Sequence, residues 1–459
     1  MLSYSNRRLR DLYLALPSPL RDLAATAYSM QRRSVRFGGV FQAQLDELEQ
    51  RTAPPAEQRL RGILEWAGRD VPYYRGQFAS VGFDPARDAI GKLPLVEKAH
   101  LRGQPDAFRA ESFAGPKVSL QTSGTTGSPL LVTLSREAYQ RSYGVVWFHY
   151  GWAGIRRGDR VATLAAHPVV ATERLRGPFW VRDWYESELL FSSQHLIRRN
   201  LPEYADALAR FRPLMLRGYP SSLYLLALEV LESGRADIRP RAVFTSSETL
   251  LDHQRQAIEA AFDCRVYSYY GSAERVAQML QCAAGNFHVV TEVCVVEVLD
   301  ADGSPAGVGQ EGELVCTSVV NYAAPLIRYR TGDRGVLGSG ECVCGRAGPF
   351  LTEIGGRMDD AIVTPDGRHI GSLNQAFKDV GHLIEAQLRQ DSVAEVSVNV
   401  VVQAGWSPAD ERLLMDNLRL RLGTQIEIHI RQVAAIERAP NGKFKFVVAR
   451  VPPQLGRRP

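Results

Sequence analysis

The sequence lacks the features that mark several large classes of protein. Its longest apolar stretch, around residues 144–155, is interrupted by His149 and is too short to cross a bilayer. Residues 1–10 contain no long apolar core of the kind that signal peptides carry. No long basic block and no internal repeat occurs, so we expect neither nucleic-acid binding nor a repeat architecture.

Cysteine is also scarce, with 6 residues in a chain of 459. This density excludes a small disulfide-stapled scaffold. A net charge of +5, with 45% hydrophobic and 23% charged residues, is typical of a globular protein of ordinary composition. The length predicts two or more domains, and we expect a cytoplasmic enzyme, monomeric or homodimeric, without a transmembrane segment.

The chain changes character along its length. Residues 1–50 mix arginine with apolar residues, which fits either helices packed on the main body or a surface that contacts a membrane or a partner. Strand and helix patterns alternate over residues 201–270, and this alternation predicts an α/β fold with a parallel sheet. β-rich segments follow residue 289, and an α+β pattern follows Gly355-Gly-Arg357.

The stretch Thr122-Ser-Gly-Thr-Thr-Gly-Ser-Pro129 joins two apolar segments of β character. Its glycines permit close backbone approach, and its hydroxyl groups are short hydrogen-bond donors. The stretch is therefore either a phosphate-binding loop or a polar hairpin turn, and its composition alone leaves both readings open.

Five short motifs in order decide the interpretation. They are Ser123-Gly-Thr-Thr-Gly127, Tyr270-Gly-Ser-Ala-Glu274, Tyr329-Arg-Thr-Gly-Asp333, Gly356-Arg-Met-Asp-Asp360 and Pro440-Asn-Gly-Lys443. In this order they resemble the core motifs of the adenylate-forming (AMP-forming) ligase superfamily, over residues 116–450. The likeness is greatest to the phenylacetate–CoA ligase-like branch, and within it to proteins of capsular-polysaccharide biosynthesis.

The resemblance implies a fold and an activity. The fold is α/β, with a large N-terminal adenylation domain over residues 1–356 that has parallel and mixed sheets and a β-rich subdomain. A small, mobile α+β C-terminal domain over residues 357–459 carries the catalytic lysine. The enzyme uses ATP and Mg²⁺ to convert a small carboxylic acid to its acyl-adenylate, and passes the acyl group to the thiol of CoA, an amine or a hydroxyl.

The resemblance also implies roles for individual residues. The catalytic residues are Lys443, Glu274, Arg357 and Asp359, of which Glu274 holds Mg²⁺ and Asp359 lies at the hinge. ATP or AMP is bound by Ser123, Gly124, Thr125, Thr126, Gly127, Ser247, Glu248, Tyr269, Tyr270, Gly271, Ser272, Arg330 and Asp333. The alternative is a catalytically silent nucleotide- or acyl-binding protein on the same scaffold.

The sequence departs from the family pattern at three places. Ala273 stands where relatives often carry Thr or Ser, and no lysine follows Pro129. The stretch 362–367 lacks the lysine that is common after the hinge. These differences leave adenylation as the expected reaction and put CoA as the acceptor in question.

Four residues have the chemistry of a structural zinc site. Cys282 and His288 follow the Glu274 motif, and Cys342 and Cys344 precede the hinge. Three cysteines and one histidine form a recognised zinc ligand set, and similar positions occur in the phenylacetate-ligase-like branch. Zinc binding and four reduced, unligated residues are the two alternatives.

The acid itself cannot be read from the sequence. Candidate walls of its pocket lie at predicted strand ends and loops: His167, Trp180, residues 218–222, Ser246, Ser247 and Tyr269.

Overall fold

The structure, a computed structural model, describes residues 12–121, 130–165, 169–171, 174–357, 362–365, 369–370, 373–377, 380–438 and 444–451. The α-helices between residues 18 and 262 are α1 (Ser18–Arg36), α2 (Gly39–Gln50), α3 (Ala56–Asp70), α4 (Pro72–Val81), α5 (Lys98–Gly103), α6 (Arg136–Gly151), α7 (Leu201–Phe211), α8 (Pro220–Glu232) and α9 (Asp252–Phe262). Among the described residues, none of the helices combines the length and the apolar character that crossing a membrane requires.

A two-stranded antiparallel hairpin frames the first motif. Strand β1 (Lys117–Gln121) pairs with β2 (Leu131–Ser135), and Gln121 is opposite Leu131. The predicted loop of residues 122–129 thus joins two paired strands, although the loop itself lies outside the described residues.

A mixed sheet of 12 strands organises the chain from residue 161 to residue 357. Its strands are β3 (Val161–Ala165), β4 (Trp180–Asp183), β5 (Glu188–Ser192), β6 (Met215–Gly218), β7 (Ala242–Ser246), β8 (Arg265–Gly271), β9 (Gln278–Gln281), β10 (Phe287–Val289), β11 (Cys294–Leu299), β12 (Glu311–Ser318), β13 (Tyr329–Leu337) and β14 (Phe350–Arg357). From edge to edge their order is β11-β12-β13-β14-β10-β9-β8-β7-β6-β3-β5-β4.

The centre of this sheet is parallel, as the strand–helix alternation predicts. Strands β5, β3, β6, β7 and β8 are consecutive neighbours in parallel register. Helices α7, α8 and α9 connect β5, β6, β7 and β8 along the chain, whereas β4 lies between β3 and β5. Met215, Val243 and Leu216 are completely buried, as expected for strands covered on both faces. Helix α7 ends where Arg212 adopts a left-handed conformation (φ 50°), just before Pro213.

The N-terminal helices pack on the sheet. Helix α1 lies beside the edge strand β4, where the backbone N–H of Arg182 donates to Asp22 Oδ1 at 3.0 Å. The backbone N–H of Trp184 donates to Thr26 Oγ1 at 3.1 Å. Side chains of α1 thereby satisfy edge donors that would otherwise be open to another strand. Residues 1–50 were expected either to pack on the main body or to form a surface for a membrane or a partner. In the described part, helix α1 packs on the main body.

A second compact unit begins at Ile354 and includes residues 251–253 and 332–334. It contains the hairpin β15 (Ile362–Val363) and β16 (His369–Ile370), and helix α10 (Pro408–Leu422). Its sheet has β17 (Leu383–Ser392), β18 (Glu395–Val402), β19 (Glu427–Gln432) and β20 (Val447–Ala449), in the order β19-β18-β17-β20. The predicted α/β class with a small α+β C-terminal part is confirmed, while the boundary after residue 356 stays a prediction.

Candidate active site

Three predicted loops lie at neighbouring strand ends of the parallel sheet. Gly218 at the end of β6 is paired with Thr245 of β7, and Ser246 is paired with Tyr269 of β8. The loops that follow are therefore adjacent at the carboxyl edge of the sheet. Ligands of open α/β sheets bind at this edge.

Gly218 is required by the close approach of two strands. A Cβ atom at this position would collide with the backbone carbonyl oxygen of Leu164 in β3. The next residues turn directly into α8, whose first turn contains Pro220. The backbone N–H of Ser221 in that turn donates to Glu248 Oε2 at 3.2 Å. This contact ties the loop after β6 to the loop after β7, so Glu248 positions both loops.

Ser247 has an unusual backbone conformation. Its φ of 72° lies in the left-handed region, which residues other than glycine seldom occupy. Such conformations cost of order 1–3 kcal/mol and collect at functional sites. Ser247 is thus a strained and exposed residue at the carboxyl edge of the sheet, and its contact with the nucleotide stays a prediction.

The predicted magnesium ligand Glu274 is a buried carboxylate, only 8% exposed. The Tyr329 hydroxyl donates to its Oε1 atom at 3.0 Å, and the Lys98 ammonium is 4.0 Å from the same oxygen. Both contacts fix the carboxylate through Oε1. A buried, oriented carboxylate oxygen is a ligand type that Mg²⁺ accepts, so the residue fits the ion that the resemblance implies.

Lys98 and Tyr329, which contact Glu274, are not among the site residues predicted from the sequence. Lys98 starts the short helix α5 and carried no signal of its own. Tyr329 is part of the Tyr-Arg-Thr-Gly-Asp motif, and strand alternation places Tyr329, Thr331 and Asp333 on one face of β13. That alternation was a usable signal for Tyr329.

Strand β8 presents its aromatic residues alternately. Tyr269 donates from its hydroxyl to Gln278 Oε1 at 3.1 Å, whereas Tyr270 lies on the other face of the strand. A Cβ at Gly271 would be 2.6 Å from the ring of Tyr269, so glycine is needed there. Ser272 Oγ accepts a hydrogen bond from the Val276 N–H at 3.3 Å, which closes the loop.

Arg330 already has two carboxylate partners. Its guanidinium donates to Glu313 at 2.6 Å and to Glu97 at 3.0 Å. The hydrogen bonds that Arg330 donates to Glu313, followed by the one it donates to Glu97, raise the pKa of Arg330. These ion pairs hold strand β13, which carries the Tyr-Arg-Thr-Gly-Asp motif, and a direct contact of Arg330 with the nucleotide stays a prediction.

The remaining predicted residues have less structural context. Asp333 is half-buried in β13, and Arg357 is the last residue of β14. Residues 123–127, His167, Asp359 and Lys443 lie outside the described residues, so their roles stay predictions.

The four predicted zinc ligands come together. Cys282 follows β9, His288 is in β10, and Cys342 and Cys344 are in the loop between β13 and β14. Because β10 pairs with both β9 and β14, the sheet brings these segments side by side. One ligand atom from each residue lies within 4.8 Å of all the others.

The distances in this cluster suit a tetrahedral ion. Cys282 Sγ is 3.8 Å from Cys342 Sγ, and Cys344 Sγ is 3.2 Å from His288 Nε2. Tetrahedral zinc with its usual bond lengths separates two sulfur ligands by about 3.8 Å. The amide of Asn286 donates to Cys342 Sγ at 3.2 Å, a contact typical of the surroundings of a metal thiolate.

Burial adjusts the proton affinities of these ligands. Burial raises the pKa of Cys282 to about 11, so this thiol keeps its proton until a cation displaces it. Burial, together with Arg346, lowers the pKa of His288, which keeps the imidazole neutral, the form that binds metals.

Comparison with known proteins agrees with this architecture. Residues 362–450 match the CapK C-terminal domain family. The chain is 25% identical to Protein CapK of Staphylococcus aureus over 370 residues, which cover 78% of this chain and 80% of CapK. It is 26% identical to the phenylacetate-coenzyme A ligase of Pseudomonas putida over 412 residues, 83% of this chain and 90% of that enzyme.

A solved structure shares the fold. The crystal structure of 2-hydroxyisobutyryl-CoA ligase in the postadenylation state, in complex with 2-HIB-AMP, superposes with a TM-score of 0.67. The match covers 86% of this chain and 88% of the ligase at 20% identity. The chain therefore shares the fold of that structure over most of its length.

Proposed function

We propose that this chain, a member of the adenylate-forming ligase superfamily related to CapK and the phenylacetate-coenzyme A ligases, activates a carboxylic acid with ATP and releases pyrophosphate. The observation that carries the proposal is the buried carboxylate of Glu274, fixed by Tyr329 and Lys98 beside three loops at the carboxyl edge of a parallel sheet. This arrangement suits a magnesium–triphosphate complex better than it suits structural support.

The reaction is a displacement at phosphorus. The carboxylate oxygen of the acid bonds to the α-phosphorus of ATP, and the bond between the α-phosphorus and the bridging oxygen breaks as pyrophosphate leaves. Because charge is spread over the phosphoryl oxygens, the protein contributes mainly positioning and electrostatic stabilisation. In our proposal Glu274 binds Mg²⁺, residues 123–127 bind the β- and γ-phosphates, and Lys443 stabilises the charge at the α-phosphate.

The other predicted residues line the nucleotide in this proposal. Tyr270 packs against adenine, Asp333 accepts from the ribose hydroxyls, and Arg357 supports the ribose or the phosphate. Asp359 is the hinge residue of the C-terminal domain. The acceptor is the thiol of CoA, an amine or a hydroxyl. The resemblance of the motifs to proteins of capsular-polysaccharide biosynthesis allows an acceptor in polysaccharide or natural-product assembly.

ATP–pyrophosphate exchange with a panel of carboxylic acids tests the activity. We expect exchange with at least one acid, and Lys443→Ala should reduce it by about 100-fold or more, the scale for loss of a transition-state contact. Lys445→Ala is the matched control and should exchange at the normal rate. Near-normal exchange by Lys443→Ala would contradict the mechanism, and no exchange by folded protein with any acid would favour the silent scaffold.

We also propose that Cys282, His288, Cys342 and Cys344 hold a structural Zn²⁺ ion. The short distances between the four ligand atoms, and the pairing of β10 with both β9 and β14, support this proposal. Metal analysis of protein purified without added zinc should find stoichiometric Zn²⁺. Cys344→Ser should lose the metal and melt at a lower temperature, whereas Cys264→Ser should keep it. A full metal complement in Cys344→Ser would contradict the assignment.

We place the protein in the cytoplasm. None of the six cysteines, all of which lie in the described residues, forms a disulfide bond, which suits a reducing compartment, and ATP is available there. Cell fractionation followed by immunodetection is the measurement, and recovery in the secreted fraction would contradict this placement.

A further inference from the structure

A cluster of arginine and tyrosine side chains lies beneath helix α6, on the face of the parallel sheet that this helix covers. Toward the amino ends of the strands this face is apolar, with Met215, Phe244 and Tyr267 packed against Tyr150 of α6. Two residues further along each strand, the same face carries Arg217 on β6 and Tyr269 on β8. The chemistry under the helix thus changes from apolar to cationic toward the carboxyl edge, where the proposed active site lies.

Arg217 has its charge neutralised inside the protein. It donates to Glu188 Oε1 at 2.6 Å and to Thr163 Oγ1 at 2.8 Å, and Glu188 also accepts from Thr163. Although burial alone would raise the pKa of Glu188, Arg217 holds it below its ordinary value. This arginine and its carboxylate form a closed pair that leaves no excess charge.

Arg36 and Arg275 face tyrosines. Arg36, from the end of α1, is over the ring of Tyr143 at 5.7 Å from the centroid and hydrogen-bonds to Tyr139. Arg275 hydrogen-bonds to the Tyr269 hydroxyl and also lies near Tyr143. Among the described residues, the Nε atoms of both arginines are buried without a hydrogen-bond partner. Glu186 and Glu188 also interact electrostatically with Arg36 and balance part of its charge. The two buried Nε–H donors without partners nevertheless carry a free-energy cost that a hydrogen-bonded anion would remove.

The positive charges of these arginines affect the pKa of the neighbouring Tyr143. Burial alone would raise the pKa of Tyr143, yet the charges of Arg36 and Arg275, followed by a hydrogen bond with Tyr139 and the charge of Arg217, hold it below its ordinary value. The side chains of Arg36, Tyr143, Tyr269 and Arg275 all remain partly accessible to solvent although helix and sheet enclose them. Because solvent still reaches these polar side chains, a ligand can contact them as well.

The position of Arg275 links the cluster to the reaction. It directly follows Glu274, and its left-handed φ of 56° lets the two neighbouring side chains diverge. Glu274 meets Tyr329 and Lys98, while Arg275 meets Tyr269 and the tyrosines of α6. The cluster therefore begins one residue beyond the carboxylate that the proposed function assigns to Mg²⁺.

We propose that Arg36 and Arg275, with Tyr139, Tyr143 and Tyr269, recognise a second anionic group on the acid that this enzyme activates. This inference rests on the proposed adenylation activity. The substrate class is a carboxylic acid whose far end carries a carboxylate or a phosphate, in contrast to the apolar ring of phenylacetate. Guanidinium groups bind either anion through paired N–H donors, and the tyrosine hydroxyls supply neutral donors beside them.

The test compares matched acids in ATP–pyrophosphate exchange. Succinate, glutarate and adipate are each measured against their monomethyl esters, and hydroxy acids phosphorylated at the far end are measured against the unphosphorylated acids. We expect the dianionic member of the best pair to have a kcat/KM at least about tenfold higher, the factor for a charged hydrogen bond. The two sets of acids distinguish a carboxylate from a phosphate.

Arginine variants test whether the cluster causes the preference for the dianionic acid over its ester. Arg36→Gln and Arg275→Gln should each reduce the ratio of dianion to ester by about tenfold. Arg241→Gln, at an exposed arginine that contacts Gly154 at the other end of β7, should leave the ratio unchanged. Equal use of dianion and ester, or an unchanged ratio in both cluster variants, would overturn the proposal.

A binding measurement separates this inference from the adenylation proposal. Thermal-shift titration with the same dianions and esters requires neither ATP nor turnover. Stabilisation by a dianion that is lost in Arg36→Gln supports the anion site even when no acid supports exchange. Equal shifts for dianion and ester, or no shift with any dianion, would overturn the anion site regardless of the exchange result.

Discussion

At the scale of single residues, the contact between Tyr329 and Glu274 is the clearest link between fold and chemistry. The hydroxyl orients a buried carboxylate by a hydrogen bond of 3.0 Å to Oε1. We expect Tyr329→Phe to weaken the apparent affinity for Mg²⁺ in the exchange assay by about 10- to 100-fold, the usual effect of losing a contact behind a metal ligand.

The control for that experiment is another tyrosine of the same unit. Tyr322 packs edge-on against Trp66 at 5.6 Å between ring centroids, and Tyr322→Phe should leave the Mg²⁺ dependence unchanged. If Tyr329→Phe and wild-type protein require the same Mg²⁺ concentration, the assignment of Glu274 as the metal ligand is wrong.

His149 makes the stability of the protein depend on pH. It is completely buried in α6, and its Nε2–H donates to the carbonyl of Gln281 at 2.9 Å. Burial lowers the pKa of His149 from 6.5 to about 4. The unfolded chain binds a proton below about pH 6.5 and the folded chain only below about pH 4. Stability is therefore lost as the pH falls through this window.

The shift predicts a loss of about 3 kcal/mol of unfolding free energy between pH 7 and pH 4 from this one group. Denaturant unfolding at several pH values is the measurement. We expect His149→Gln to be less stable than the wild type at pH 7. Between pH 7 and pH 4, however, its unfolding free energy should fall by about 3 kcal/mol less than that of the wild type. His429→Gln, at a histidine that is 39% exposed, should retain the wild-type slope. Parallel slopes for His149→Gln and wild type would contradict the prediction.

At the scale of elements, Gly218 connects strand packing to the loop that follows. A methyl group there would collide with the carbonyl of Leu164. We expect Gly218→Ala to destabilise the protein by about 1–3 kcal/mol, the cost of overpacking, and to reduce exchange activity because the turn into α8 shifts. The unfolding midpoint and the exchange rate are the measurements.

Gly76→Ala provides the comparison for this substitution. Gly76 lies within α4, and no atom lies within 4 Å of the position of an added Cβ. Alanine at that site should stabilise the protein by about 0.5–1 kcal/mol because it favours the helix. Equal effects of the two substitutions would show that the approach of β3 to β6 is not what requires glycine at Gly218.

Most of these elements could be predicted from the sequence. The alternating apolar strands and amphipathic helices of residues 201–270 have the periodicity that burial on two faces imposes, so the parallel sheet followed directly. Lys98 could not be found in this way, because its contact with Glu274 depends on where the short helix α5 packs. The pairing of Arg36 with Tyr143 likewise depends on tertiary packing, which local pattern does not encode.

At the scale of the whole molecule, the cysteine and histidine cluster also combines a feature that the sequence predicts with one that depends on tertiary packing. The residue types were sufficient to predict a metal ligand set, whereas their spacing fits no standard finger. The proximity of the four ligands arises because β10 lies between β9 and β14, a sheet order that no local signal reveals.

The C-terminal unit should fold by itself. Its core contains fully buried side chains from the sheet and from α10, including Val396, Val398, Leu414 and Leu418. We expect a fragment of residues 354–459 to give a cooperative thermal transition by circular dichroism and to show no exchange activity without the rest of the chain. Within it, Leu418→Ala should cost about 2–5 kcal/mol as a core truncation, whereas Leu413→Ala, at a residue 40% exposed, should cost far less. A fragment without a cooperative transition would show that this core requires the larger unit.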